Sequence, residues 1–168
     1  MIATLHDRID AFFVAACQGR PGAFACGPGC ADCCRVDLSV FGVEADRVRA
    51  AFARLPLAVR AAAARRAREG RHCAMLDDDL RCVVYDDRPL ICRSHGLAVL
   101  VDGRVDACPR NFRDGPPARG ETLDLERVNG LLVAVNRAAG HDGRRVRLAA
   151  IARAGAREPA PPPGRAPR

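Results

Sequence analysis

The chain has 168 residues, a length that suits one domain with a modest core and is too short for two ordinary ones. Its formal charge is +7 and it contains no lysine, so no lysine amine can form a Schiff base or act as a catalytic base. Apolar residues make up 49%, yet much of that is alanine, with no Trp, one Tyr and six Phe, so the bulk available for burial is thin and a covalent or metal staple would offset it.

The helical period begins at once. Ile2, Leu5, Ile9, Phe12, Phe13 and Ala16 recur at spacings that place them on one face of an amphipathic helix, ending near Gly19, Pro21 and Gly22. Cys17 closes that helix, is separated from the other cysteines by the break, and is read as a small buried thiol. The Gly27-Pro28-Gly29 turn opens a dense cysteine cluster, followed by a short apolar stretch from Val36 to Val43. Val48, Ala51, Phe52 and Leu55 then share a helix face, and Pro56 suits the start of an alanine- and arginine-rich helix from about Leu57 to Glu69, closed by Gly70.

From Arg71 the pattern shortens. Residues 73–76 and 80–85 read as strands of a small hairpin joined by Asp77, Asp78 and Asp79. Residues 88–95 read as a helical turn or loop, and Asp102-Gly103 suits a tight hairpin turn between Leu97–Val101 and Arg104–Cys108. A polar loop spans 111–120, a helix is expected from about Leu123 to Ala139 and a short one from Val146 to Ala154. Residues 1–154 are expected to form the domain, and 155–168, rich in Pro and Arg without a large apolar residue, a disordered tail.

Eight of the nine cysteines fall between residues 26 and 108. Thiolate sulfur is the preferred ligand of zinc and of iron–sulfur clusters, and short spacings let one turn of chain supply two ligands. Cys26 and Cys30 enclose a glycine turn, and Cys30 stands three and four residues before Cys33 and Cys34, a step at which side chains converge on a helix. The candidate ligands are therefore Cys26, Cys30, Cys33, Cys34, Cys73, Cys82, Cys92 and Cys108. Adjacent residues project in different directions, so Cys33 and Cys34 are expected to serve different metals, or one to bind while the other packs, shields or reacts. Two four-thiolate sites, one such site with spare thiols, and one polynuclear cluster all remain open.

No export signal is evident, because the early apolar run from Ala11 to Cys17 follows His6, Asp7, Arg8 and Asp10, and no stretch is long enough to span a membrane. The expectation is a cytoplasmic protein whose thiols are kept reduced, and an odd cysteine count also argues against a disulfide framework. Scattered arginines without interleaved aromatics argue against a nucleic-acid partner.

Cys26-x3-Cys30-x2-Cys33-Cys34, then Cys73, then Cys82-Val-Val-Tyr85-Asp-Asp-Arg88-Pro89-Leu-Ile-Cys92-Arg93, resembles the bacterial cysteine-cluster family of zinc- or iron-chelating domains, over about residues 23–112 and with Cys108 as the final cysteine. The resemblance implies metal binding. A similar domain occurs in flagellin lysine methylases, where an iron–sulfur cluster is implicated in methyl transfer, but this chain is much shorter. The Cys26-x3-Cys30-x2-Cys33 spacing is also that of radical S-adenosylmethionine enzymes, whose barrel of alternating strands and helices this chain is too short to form.

A four-thiolate zinc site carries about −2, so cations beside it would stabilise it. Arg35, Arg71, Arg81, Arg93 and Arg110 all lie within two residues of a cysteine, and the resemblance favours Arg88 and Arg93 as the groups facing the centre. Tyr85 is expected to pack in the hairpin, Pro89 to fix the turn into Cys92, and His95 to take a polar or supporting role, with His72, His6 and His141 weaker still. The resulting expectation is an α+β fold, small and mainly helical, with short β-hairpins around a cysteine-lined site for zinc or an iron–sulfur cluster. An iron–sulfur enzyme or redox protein acting in methyl or electron transfer, and a zinc-stapled adaptor or nucleic-acid module, are the alternatives.

Overall fold

The computed structural model describes residues 1–27 and 29–156. Pro28 of the expected glycine-proline turn, and residues 157–168 of the expected tail, lie outside them. Among the described residues the chain is mixed helix and strand, mainly helical, and its packing divides it into two compact units, each assembled from two separated segments. Unit 1 comprises Met1–Cys30 and Pro89–Gly143; unit 2 comprises Ala31–Arg88 and the chain from Arg144 onward.

Unit 1 opens with α1, Ile2–Gly19, where the apolar period reads correctly and buries Leu5, Ile9 and Ala16, together with His6. It packs against the short helix α4, Leu90–Ser94, and against α5, Leu125–Ala138. Asp124 caps α5 by accepting the Arg127 N–H at 2.9 Å, so the helix starts two residues after the position that apolar spacing alone suggests. A three-stranded sheet completes the unit, with β2 (Ala98–Val101) between antiparallel β3 (Arg104–Asp106) and parallel β4 (Thr122–Asp124). Asp102 and Gly103 both have positive φ, +49° and +71°, as the expected tight turn requires. The sequence gives no hint of β4, because three residues beside a helix cap are too few to carry an alternating pattern. Phe24 stacks on Phe13 and edge-on to Phe112, with Ala23 and Ala98 filling the space around Phe112.

Unit 2 holds the larger core. The 3-10 turn Asp32–Cys34 leads to β1 (Ser39–Phe41), α2 (Gly42–Ala53) and α3 (Leu57–Glu69), and the chain returns as β5 (Arg145–Arg147) and α6 (Leu148–Gly155). β1 and β5 pair antiparallel, Val40 opposite Val146, which sets α6 against both α2 and α3. Alanines on α3 (Ala63 and Ala67) and α6 (Ala149 and Ala152) are buried, so thin side chains allow close helix packing around Phe52, Val48 and Leu148. Pro56 caps α3 and Gly70 ends it in the left-handed conformation, as their positions suggest.

The expected hairpin over 73–85 forms only as a bridge between Leu76 and Cys82, with Val83 N–H donating to the Met75 carbonyl at 2.8 Å. Its turn is held by Asp77, whose Oδ1 accepts the backbone N–H groups of Asp79 and Arg81 at 3.0 and 2.7 Å, while Asp78 reaches Arg66. The acidic run is thus a turn device rather than a set of cation ligands. Tyr85 departs from the expected strand, opening a 3-10 turn and exposing its ring, because the pairing ends at Val83.

Candidate metal centre

The eight candidate cysteines fall four to each unit: Cys33, Cys34, Cys73 and Cys82 in unit 2, Cys26, Cys30, Cys92 and Cys108 in unit 1. In unit 2 the Cys73 N–H donates to the Cys34 carbonyl at 2.7 Å, which fastens the 3-10 turn to the first arm of the 73–83 pairing. Cys82 lies on the other arm. Cys73 is buried, Cys34 and Cys82 are half-buried and Cys33 is exposed.

The thiols of this set sense one another. A side-chain hydrogen bond with Cys34, followed by burial, raises Cys33 far above the ordinary thiol value. Burial pushes Cys73 up to about 11, with Cys82 adding to the rise. Burial likewise raises Cys82, Cys33 contributes in the same direction, and Arg88 opposes it. In the tight 3-10 turn the Cys33 and Cys34 thiols lie near enough to interact. Without a cation, Cys33, Cys73 and Cys82 keep their protons, since thiolates in a partly apolar space would repel.

The unit 1 set is held differently. Cys30 N–H donates to the Gly27 carbonyl at 3.0 Å, and Cys92 N–H donates to the Pro89 carbonyl at 2.9 Å at the start of α4. Asn111 N–H donates to the Cys108 carbonyl at 2.9 Å, closing a turn that carries Arg110 and Asn111. Arg110 Nη1 lies 3.5 Å from Cys30 Sγ, and Asn111 Nδ2 lies 3.5 Å from Cys26 Sγ. The Asn111 side chain also donates to the Gly96 carbonyl at 2.6 Å and accepts the Ala25 N–H at 2.8 Å, so one buried amide fixes three pieces of backbone around Cys26. Gly96 is required there: its φ is +100°, and a Cβ would sit 2.8 Å from Cys26 Sγ and 3.1 Å from Phe13 Cε2.

Spacing alone did not reveal Asn111 or Gly96, and it set Cys17 apart from the cluster. The structure places Cys17 within electrostatic reach of Cys26, which adds to the upward shift that burial imposes on it. Of the two favoured arginines, Arg88 acts electrostatically on Cys82 and stacks on Tyr85, 4.1 Å from the ring centroid. Arg93 is buried and pairs with Asp10, so it ties α4 to α1. Burial lowers the pKa of half-buried His95, which keeps its imidazole neutral at physiological pH.

Among the described residues, no three Cys, His, Asp or Glu side chains are already gathered tightly enough to enclose an ion. The donor chemistry nonetheless fits a thiophilic centre. Each unit brings four of the eight candidate thiols, and N–H groups of Asn111 and Arg110 stand beside Cys26 and Cys30.

Residues 25–110 match the model of the CxxCxxCC family, described as a putative zinc- or iron-chelating domain. That is half of the chain, and the chain belongs to this family. Nothing similar was found among curated proteins or among solved structures. The expected family and its general metal chelation thus stand. No helix among the described residues is long and apolar enough to cross a membrane.

Proposed function

We propose that the chain holds metal at two separate thiolate sets, Cys33, Cys34, Cys73 and Cys82 in one, and Cys26, Cys30, Cys92 and Cys108 in the other, each taking zinc or an iron–sulfur cluster. The observation that carries this reading is the partition of the eight cysteines, four to each compact unit. Local support differs between the sets: mutual thiol contacts and Arg88 in unit 2, and N–H donors from Arg110 and Asn111 in unit 1. Zinc or a cluster bound by four cysteines carries about −2, and the neighbouring arginines offset it. A cytoplasmic setting, where thiols stay reduced, suits such sites.

The test is anaerobic purification followed by elemental analysis and an absorption spectrum. Brown protein containing sulfide, with a broad visible band, identifies an iron–sulfur cluster, whereas colourless protein with stoichiometric zinc identifies zinc. Serine at all four positions of one set is expected to remove half of the metal and leave the rest. Loss of all metal from either variant would show one shared centre and refute the two-set reading.

A further inference from the structure

Beside the Cys26, Cys30, Cys92 and Cys108 set lies a cleft that four-thiolate chelation alone does not account for. An open cleft of about 570 Å³ is walled by Gly22, Ala25 and Gly29 on one side and reaches Cys30, Arg110 and Arg113. Asp114 also lines the cleft, but its carboxylate is committed: Arg20 grips it with Nε at 3.0 Å from Oδ2 and Nη2 at 2.9 Å from Oδ1. Arg20 further donates to the Gly115 and Pro116 carbonyls, at 3.1 and 3.0 Å, and its guanidinium lies over the Phe112 ring. The segment carrying Arg113 is therefore anchored. Arg113 itself is exposed, and its guanidinium makes no hydrogen bond or ion pair with the described residues.

With Asp114 paired to Arg20, the cleft is lined by two further arginines, Arg113 and Arg110, the latter 3.5 Å from Cys30 Sγ. We propose that it binds a small oxyanion, a carboxylate or phosphate group on a soluble molecule, gripped by Arg113 and Arg110 and seated against the Cys30 side of the metal centre. Guanidinium matches both groups through paired N–H donors, and the volume falls within the range of small-molecule sites. The proposal rests on the metal reading above only in its last clause, because the cleft is made by the polypeptide.

The experiment titrates the metal-loaded full chain, its metal content measured beforehand, with inorganic phosphate and separately with succinate, in low-chloride buffer by calorimetry. Saturable one-to-one binding of at least one anion is expected. Arg113→Gln should weaken it about tenfold, the usual worth of a charge-assisted contact, whereas Arg113→Lys, which keeps the charge, should lose less. Arg104→Gln, an equal loss of charge on the exposed β3 strand, should change it by less than about twofold. Tighter phosphate binding assigns a phosphoryl ligand and tighter succinate binding a carboxylate. Failure of both anions to bind fully metallated protein, or an equal loss in Arg104→Gln, would overturn the cleft and leave the metal reading intact. Anion binding by a chain that takes up no metal would refute the metal centre and retain the cleft.

Discussion

At the scale of single residues, two neighbours set the place of Cys26: Asn111 Nδ2 stands 3.5 Å from its Sγ, and a Cβ on Gly96 would stand 2.8 Å from it. Gly96 and Asn111 matter because of a positive φ and a buried amide, neither of which has a sequence period. Arg110 was one arginine among 27, indistinguishable from a chance neighbour until its nitrogen is seen 3.5 Å from Cys30 Sγ. Gly96→Ala is expected to push Cys26 Sγ aside, costing about 1–3 kcal/mol in strain and reducing metal retention by the unit 1 set while sparing the other; melting curves and metal analysis of the variant check both. Cys73 gives a second expectation, for the metal-free chain. Its thiol value is raised from 9.0 to about 11 in the fold, so the folded state keeps a proton that the unfolded chain releases. The associated stability is complete below about pH 9 and is lost as pH rises through about 11, an effect of about 3 kcal/mol. Denaturant unfolding of metal-free wild type and Cys73→Ala across that range should show a steeper decline in the wild type, and parallel curves would sink the assignment.

At the scale of elements, long periodic segments were legible and short ones were not. α1 and α3 lie close to their expected bounds because apolar period, Pro56 and Gly70 agree. The 73–85 hairpin was overread: its residues have strand character, yet only one bridge forms before the chain turns into 3-10 geometry at Tyr85. α6 was foreseen as a short helix, but its role in closing the unit 2 core depends on contacts distant in sequence. Its last residue, Gly155, lies so close to Phe52 that a Cβ would meet Cδ1 at 2.7 Å, and its carbonyl accepts Arg60 Nη1 at 2.8 Å. Gly155→Ala should therefore cost about 1–3 kcal/mol by overpacking, and Phe52→Ala about 3–5 kcal/mol by leaving a cavity. The double variant Gly155→Ala/Phe52→Leu should recover part of the Gly155→Ala loss. Purely additive melting data would show that the two sites do not share this contact.

At the scale of the whole molecule, two units interleave along one chain, and no sequence pattern marks the passages at 30–31, 88–89 and 143–144. Spacing groups Cys26 to Cys34 by chain proximity, yet the division between units falls inside that run, after Cys30. The partition has a consequence for charge. With thiols neutral the chain carries +7, and each four-thiolate centre adds about −2 as metal enters and protons leave, which takes the loaded chain to about +3. Loaded protein should elute from a cation exchanger at lower salt than the metal-free chain. Zinc titrations in two buffers of different ionisation enthalpy should show protons released, because Cys33, Cys73 and Cys82 are held protonated in the metal-free chain. Apparent affinity should then fall as pH falls, because protons compete for the same sulfurs. A zinc affinity that is unchanged between mildly acidic and neutral pH, with no heat difference between buffers, would mean that these thiols are not the ligands.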